Sequence, residues 1–326
     1  MTAENLAVVV NTRDADSIVI AQYYVAARGI PAENVIRVSI PNDMDTLPAE
    51  VFSRMYDEVR RATPSTVQAY ALTWSRPFRA GCMSITTAFA TGFRNIYCAQ
   101  GCQSTAPSPL YDSDTLAPYD DVHWRPTMML AGQSVAAVTA LIDRGVAADN
   151  SRPSPHAYLL VTSDKARSTR ATAFAQTQVK LQGHMDVEVL AQDELRDRTD
   201  VMFYFTGGRF ISGLETLRFP PGALADHLTS TGGVLFGTSQ MSILRWLEAG
   251  ATASYGTVVE PCNFPQKFPH PEVVIRRYLA GETALEAYWK SVAWPGQGLF
   301  VGEPLSRPYG AAVGAAAALS PRRRMK

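Results

Sequence analysis

Cysteine is scarce: four in 326 residues, Cys82, Cys98, Cys102 and Cys262, too few for a cross-linked scaffold. Ordinary thiols, or a local Cys98–Cys102 bridge, are the expectation. No stretch approaches the ~18 apolar residues of a spanning helix, so no membrane span is expected. Basic and acidic side chains are equal at 30 each, which leaves no broad basic surface and excludes nucleic acid as a first-choice partner. The opening residues lack the basic, apolar and cleavage-site order of an export signal. As written the chain reads as cytoplasmic, and as exported if the true start lies upstream. Nucleotide-binding signatures are also missing. Asn11-Thr12-Arg13-Asp14 stands where a Gly-rich loop would follow the first strand, and no P-loop lysine motif occurs. There is no Gly-x-Ser-x-Gly elbow of an α/β-hydrolase. No cofactor is expected, and with no histidine pair near Cys98 and Cys102, no metal centre.

What the chain does have is alternation of strand and helix patterns, the mark of an α/β fold with a mostly parallel sheet flanked by helices. Leu6–Val10 reads as a buried strand, Ile18 to Arg28 as a helix stopped by Gly29, and Val35–Ile40 as a half-exposed strand. A helix over 48–62 and a strand at Ala69–Thr73 follow. Residues 75–127 lose periodicity and hold three of the cysteines, so they read as a long flap inside a single domain spanning 1–309. Asp112 and Asp114 in that flap are either solvated turn acids or part of a cation site. Helices near 133–144 and 169–181 and strands at Ala157–Val161 and Val187–Leu190 come next. A capping box at Thr283 and Glu286 opens a late helix. The tail 310–326, alanine-rich and then basic, reads as disordered.

The organising stretch is Asp200–Pro261. Its periodicity predicts a strand at Val201–Thr206, a helix over Pro221–Ser230, a strand at Gly233–Thr238, a second helix, and a strand before Pro261. Ligands of open α/β sheets gather at the carboxyl ends of strands. Thr206, Gly207, Thr238, Ser239, Thr257 and Glu260 are therefore expected on one rim, with Ser239 either a nucleophile or a helix cap. Arg76 and Arg79, past the Ala69–Thr73 strand, either grip an anionic ligand or are surface side chains. Cysteine catalysis would need a thiol beside an imidazole, for which Cys262 with His270, or Cys82, are the candidates. His227 is expected to pack or cap near the end of its helix.

The order of these elements, with Leu-Glu-Ala-Gly-Ala and Thr-Ala-Ser-Tyr-Gly-Thr at 247–257 and Leu-Phe-Val-Gly-Glu-Pro-Leu at 299–305, resembles the core of caspase-like peptidases, the gingipain branch above all. In those enzymes a His-Gly pair ends one strand and the nucleophilic cysteine ends the next. Matched onto this chain, the histidine position falls at Thr206 before Gly207, and the cysteine position near Thr238 or Ser239. The resemblance implies the fold without the dyad.

Over nearly its whole length the chain also resembles a bacterial family found in genomes with exosortase-type sorting systems. The segments that carry this are Val9–Asn11, Tyr23-Tyr24, Arg28–Val35, Cys82–Ile85, Leu141–Gly145, Ala223–Ser230, Ser254–Pro261 and Glu286–Val292. The chain lacks the Pro-Glu-Pro motif and apolar stretch of an exosortase substrate. Three readings follow: a dyad-less protein binding a peptide or other envelope ligand, a hydrolase using Cys262 or Cys82, or a structural assembly factor.

Overall fold

Leu6–Asn11 is buried along its whole length, as a strand covered on both faces must be, and forms β1. The computed structural model describes residues 1–99, 102–237 and 239–310. Asp14 caps α1 (Ala15–Arg28) by accepting from the Asp16 amide, and Gly29, left-handed at φ 62°, ends it. β2 (Val35–Val38), β3 (Thr46–Leu47), α2 (Ala49–Ala62) and β4 (Ala69–Leu72) follow. The flap holds β5 (Arg79–Ala80), β6 (Met83–Ser84), α3 (Ile85–Thr91) and α4 (Pro118–Val122), and β7 (Thr127–Met129) ends it. Then come α5 (Val135–Ala148), β8 (His156–Leu160), α6 (Ala171–Leu181), β9 (Asp186–Leu190), β10 (Phe203–Gly207) and β11 (Leu224–Leu228). The chain continues with α7 (Leu244–Ala249), β12 (Ala253–Thr257), α8 (Pro271–Leu279), α9 (Ala284–Ser291) and β13 (Gly298–Gly302).

Ten strands share one sheet in the order β2-β1-β4-β7-β13-β12-β11-β10-β8-β9, and β3, β5 and β6 make a separate small sheet. The runs β2-β1-β4-β7 and β12-β11-β10-β8-β9 are parallel within themselves, and β13 lies antiparallel to β12. The expected α/β architecture with a mostly parallel sheet is what the structure has. Arg76, past β4, lies 4.1 Å above the ring of Phe236, in the loop past β11. The first and last parts of the chain meet at Glu303, fully buried just after β13, which accepts hydrogen bonds from Tyr24 and Arg28 of α1. Among the described residues no helix is long and apolar enough to cross a membrane.

Three expectations need correcting. The segment over Pro221–Ser230 is not a helix: Leu224–Leu228 is the buried strand β11, paired with β10 on one side and β12 on the other. The strand expected at Gly233–Thr238 is replaced, over its described residues, by turns. A residue in the middle of a parallel sheet can be polar if its partners are built in. Asp226 has the Arg170 guanidinium as its counter-charge, and His227 accepts a hydrogen bond from Trp246.

The cysteines are the third correction. Cys82 is bonded to Cys98, and Cys102 to Cys262 at a sequence separation of 160, so no free thiol occurs among the described residues. The flap is thus tied twice, once within itself and once across to the loop after β12. Asp112 and Asp114 fasten it further to α8, through Arg276 and Arg277. The tail beyond Gly310 and Thr238 lie outside the described residues.

Candidate functional site

A cleft of about 360 Å³ opens at the ends of the second parallel run, lined by Ala166 and Arg167 from the β8–α6 loop, Leu228–Ser230 from the end of β11, and Glu260–Asn263 after β12, with Cys102 reaching in from the flap. Strand ends meet loops here because β10 leads outward to β11 and β12 while β8 leads the other way to β9. That reversal is a topological switch point, where ligands of such sheets bind.

Buried polar groups, none of them on the lining, tie these strands together near the cleft. Arg170, just before α6 and almost fully buried, donates to the Thr206 carbonyl at 2.7 Å and to the Pro269 carbonyl at 3.3 Å, and pairs with Asp226 at 2.7 Å. Burial pushes the Asp226 carboxyl up, to about 6, and Arg170 opposes that shift. Next along β11, His227 is gripped at both ring nitrogens. Nδ1 accepts from Trp246 Nε1 at 2.9 Å, and Nε2 faces the Met241 carbonyl at 3.1 Å. Burial pushes its pKa down to about 3. A neutral imidazole with both nitrogens committed neither collects nor delivers protons at the cleft.

The walls are held just as closely. Thr257 donates to the Thr229 and Ser230 carbonyls, fixing the turn after β11. Thr229 takes a hydrogen bond from Arg167 Nε at 3.1 Å and gives one to Gln240 at 2.8 Å. Arg167 Nη1 pairs with Asp164 at 2.7 Å. In the loop after β12, Glu260 accepts from the Cys262 amide, and Asn263 donates to the Ala166 carbonyl of the β8–α6 loop. Cys262 and Asn263 both have left-handed backbones, at φ 53° and 35°, a conformation that this loop's bonds must hold. Behind Glu260 lies Lys267, buried, its amine pushed down to about 8 by desolvation.

Gly207 is indispensable to this arrangement. A Cβ there would overlap the carbonyl carbon and oxygen of Arg167, backbone atoms that cannot swing aside. Gly207→Ala is expected to destabilise the fold by about 3 kcal/mol, the upper part of the usual overpacking range. Urea unfolding measures this, and a loss below about 1 kcal/mol would show that the β8–α6 loop yields freely.

The sequence expectations divide. Glu260 lines the cleft, while Thr257 and Gly207 lie behind it as supports. Thr206 is fully buried and is not among the residues lining the cleft. Ser239 is exposed, its carbonyl accepting from Arg209, and it does not cap α7, which starts at Leu244, whose amide is served by Ser242. Cys262 is on the wall, but as half of a disulfide, and Cys82 is likewise bonded, which corrects the thiol-nucleophile expectation for both. His270 opens α8, half-buried, and is not among the residues lining the cleft.

Arg76 lines a second strand-end crevice of about 270 Å³ with Trp74, Ser75, Gln133, Ser134 and Phe236, and is paired with Asp45 at 2.6 Å. Arg79 belongs to the small sheet and lines neither opening. Sequence reasoning missed Arg167, Thr229, Ser230 and Asn263. The signal available for the first was its place just after a strand ending in Thr162-Ser163-Asp164.

Among known proteins, no family model matches this chain, and no curated protein matches it. A solved structure titled "Structure of Protease" is similar at 12% identity and a TM-score of 0.45, over 95% of this chain and 80% of that one.

Proposed function

We propose that this chain is a caspase-like protein that carries no peptidase dyad and binds a peptide or other envelope ligand in the cleft at the ends of β10, β11 and β12. The observation that carries this reading is the chemistry of the walls. The residues that line the opening offer hydroxyls, one guanidinium, one carboxylate and a cystine, with neither an imidazole nor a free thiol among them. At the ends of the two successive strands where such a peptidase would keep its pair stand Thr206-Gly207 and Thr229-Ser230. Hydroxyl nucleophiles need an adjacent base. The nearest histidine in β11 is neutral, buried and bonded at both nitrogens.

An accessory role in exosortase-type envelope systems fits the two disulfides, one of which closes a loop of 160 residues. Such bonds persist in oxidising compartments.

The test uses the oxidised protein, a fluorogenic peptide library and a panel of envelope peptides. No hydrolysis above buffer is expected, with saturable binding that protects the amides of 228–230 and 260–263 from hydrogen exchange. Hydrolysis abolished by Ser230→Ala would overturn the reading in favour of an enzyme. Absence of any saturable binding would favour a purely structural factor.

A further inference from the structure

We propose that the cleft takes a short peptide by its two charged ends, the terminal carboxylate at Arg167 and the terminal ammonium at Glu260. This rests on the ligand-binding reading above and narrows it to a zwitterion about two residues long. The volume of about 360 Å³ lies near the lower limit of small-molecule sites, which span about 300–1,000 Å³.

The remaining walls carry no other charge: Leu228, Pro261 and Ala166 are apolar, the Cys102–Cys262 bond is neutral, and Thr229, Ser230 and Asn263 are neutral polar groups. Arg167 and Glu260 are the two ionic groups on the lining, and they come from different loops, one before α6 and one after β12.

Each is oriented by bonds that leave part of it free. Arg167 spends Nε on Thr229 and Nη1 on Asp164, is 24% exposed, and among the described residues its Nη2 has no partner. A guanidinium held at both Nε and Nη1 presents Nη2 in a fixed direction, which suits a carboxylate oxygen. Glu260 accepts the Cys262 amide through Oε1, leaving Oε2 for a ligand. The charged neighbours act on both: Asp164 shares Arg167, and Lys267 lies behind Glu260 with an amine shifted toward neutrality by burial. Neither neighbour is on the lining. Bound side chains would rest on the apolar wall, so the charges set the class of ligand and leave side-chain identity loosely specified.

The test is calorimetric titration of the oxidised protein with the dipeptide Ala-Leu, its N-acetyl form, its C-terminal amide, and the doubly blocked form. Saturable binding of Ala-Leu is expected, weakened at least about ten-fold by either block, as loss of a charge-assisted hydrogen bond would give. Arg167→Gln should erase the penalty for the amide while keeping that for acetylation, and Glu260→Gln the reverse. Arg167→Lys keeps the charge and should retain part of the discrimination, and circular dichroism checks that each variant folds. Equal binding of free and blocked dipeptides, or no binding of Ala-Leu at millimolar concentration, would overturn the inference. If longer peptides still protect 228–230 and 260–263 in that event, the broader ligand-binding reading survives alone.

Discussion

Arg170→Met lowers the stability of the fold by about 3–5 kcal/mol, the usual cost of leaving one partner of a buried ion pair alone. Arg170 is a single side chain serving three elements: the end of β10 through the Thr206 carbonyl, β11 through Asp226, and the approach to α8 through the Pro269 carbonyl. Methionine fills much of the volume but supplies no donor. The variant then holds Asp226, fully buried, with no cation against it, and deprives the Thr206 and Pro269 carbonyls of a side-chain donor. Its carboxyl, already pushed up to about 6, would move higher still and take up a proton near neutral pH.

The double change Arg170→Met with Asp226→Leu removes the stranded charge. It is expected to recover much of the loss, because a buried pair replaced by apolar groups is often nearly neutral. Urea unfolding of both variants at pH 7 measures this. A single-variant loss below about 1 kcal/mol would mean that water reaches Asp226. Because the same arginine joins β10 to β11 close to the strand ends that line the cleft, ligand binding should fall with stability in the single variant and return in the double one.

Acid weakens the fold through His227, by about 3 kcal/mol between pH 6.5 and pH 4. In the unfolded chain this imidazole takes its proton near the ordinary 6.5, whereas in the fold burial holds it back until about 3. The unfolded state therefore binds more protons as the pH falls through that window. The contribution is fully present above about 6.5 and is lost on the way down to about 3. Protonating Nδ1 would also remove the acceptor for Trp246 and set a positive charge near Arg170 and Arg167.

Asp226 works the other way. Its folded value of about 6 lies above the ordinary 3.8, so its contribution is fully present below 3.8 and fades as the pH rises through 6. The two adjacent residues partly cancel in the wild type. His227→Gln separates them, since glutamine can still accept and donate but does not titrate. The stability difference between wild type and H227Q, followed by urea midpoints from pH 7.5 to pH 4, should swing by about 3 kcal/mol against the wild type. A flat difference would mean that His227 is solvated enough to titrate normally.

Much of the framework was readable from local pattern. β1, α1, α2, β4, α5, β8, α6 and β10 announce themselves because each either runs apolar for a strand's length or repeats at helical spacing between Asp, Ser or Gly boundaries. The capping box at Thr283 and Glu286 was equally legible, and both halves of it are made. Of the residues that the strand-end rule put on one rim, Glu260 is on the wall of the cleft.

Local pattern failed at β11. Leu224-Ala225-Asp226-His227-Leu228 places leucines at helical spacing and interrupts them with two polar groups. Read alone, that is an amphipathic helix. In the fold both polar side chains are buried and matched, one by an arginine far back in the chain and the other by a tryptophan on α7. The strand that follows β10 ends at Leu228, so Thr229 and Ser230 stand at the strand end where local pattern alone puts Ser239.

The sequence by itself therefore determined the alternation of strands and helices and the side on which strand ends gather, since both follow from spacing along a few residues. Tertiary structure alone decided which cysteines join, which polar residues lie inside, and what lines the cleft. Those depend on contacts between segments as far apart as Cys102 and Cys262, separated by 160 positions, and no local period encodes such a meeting.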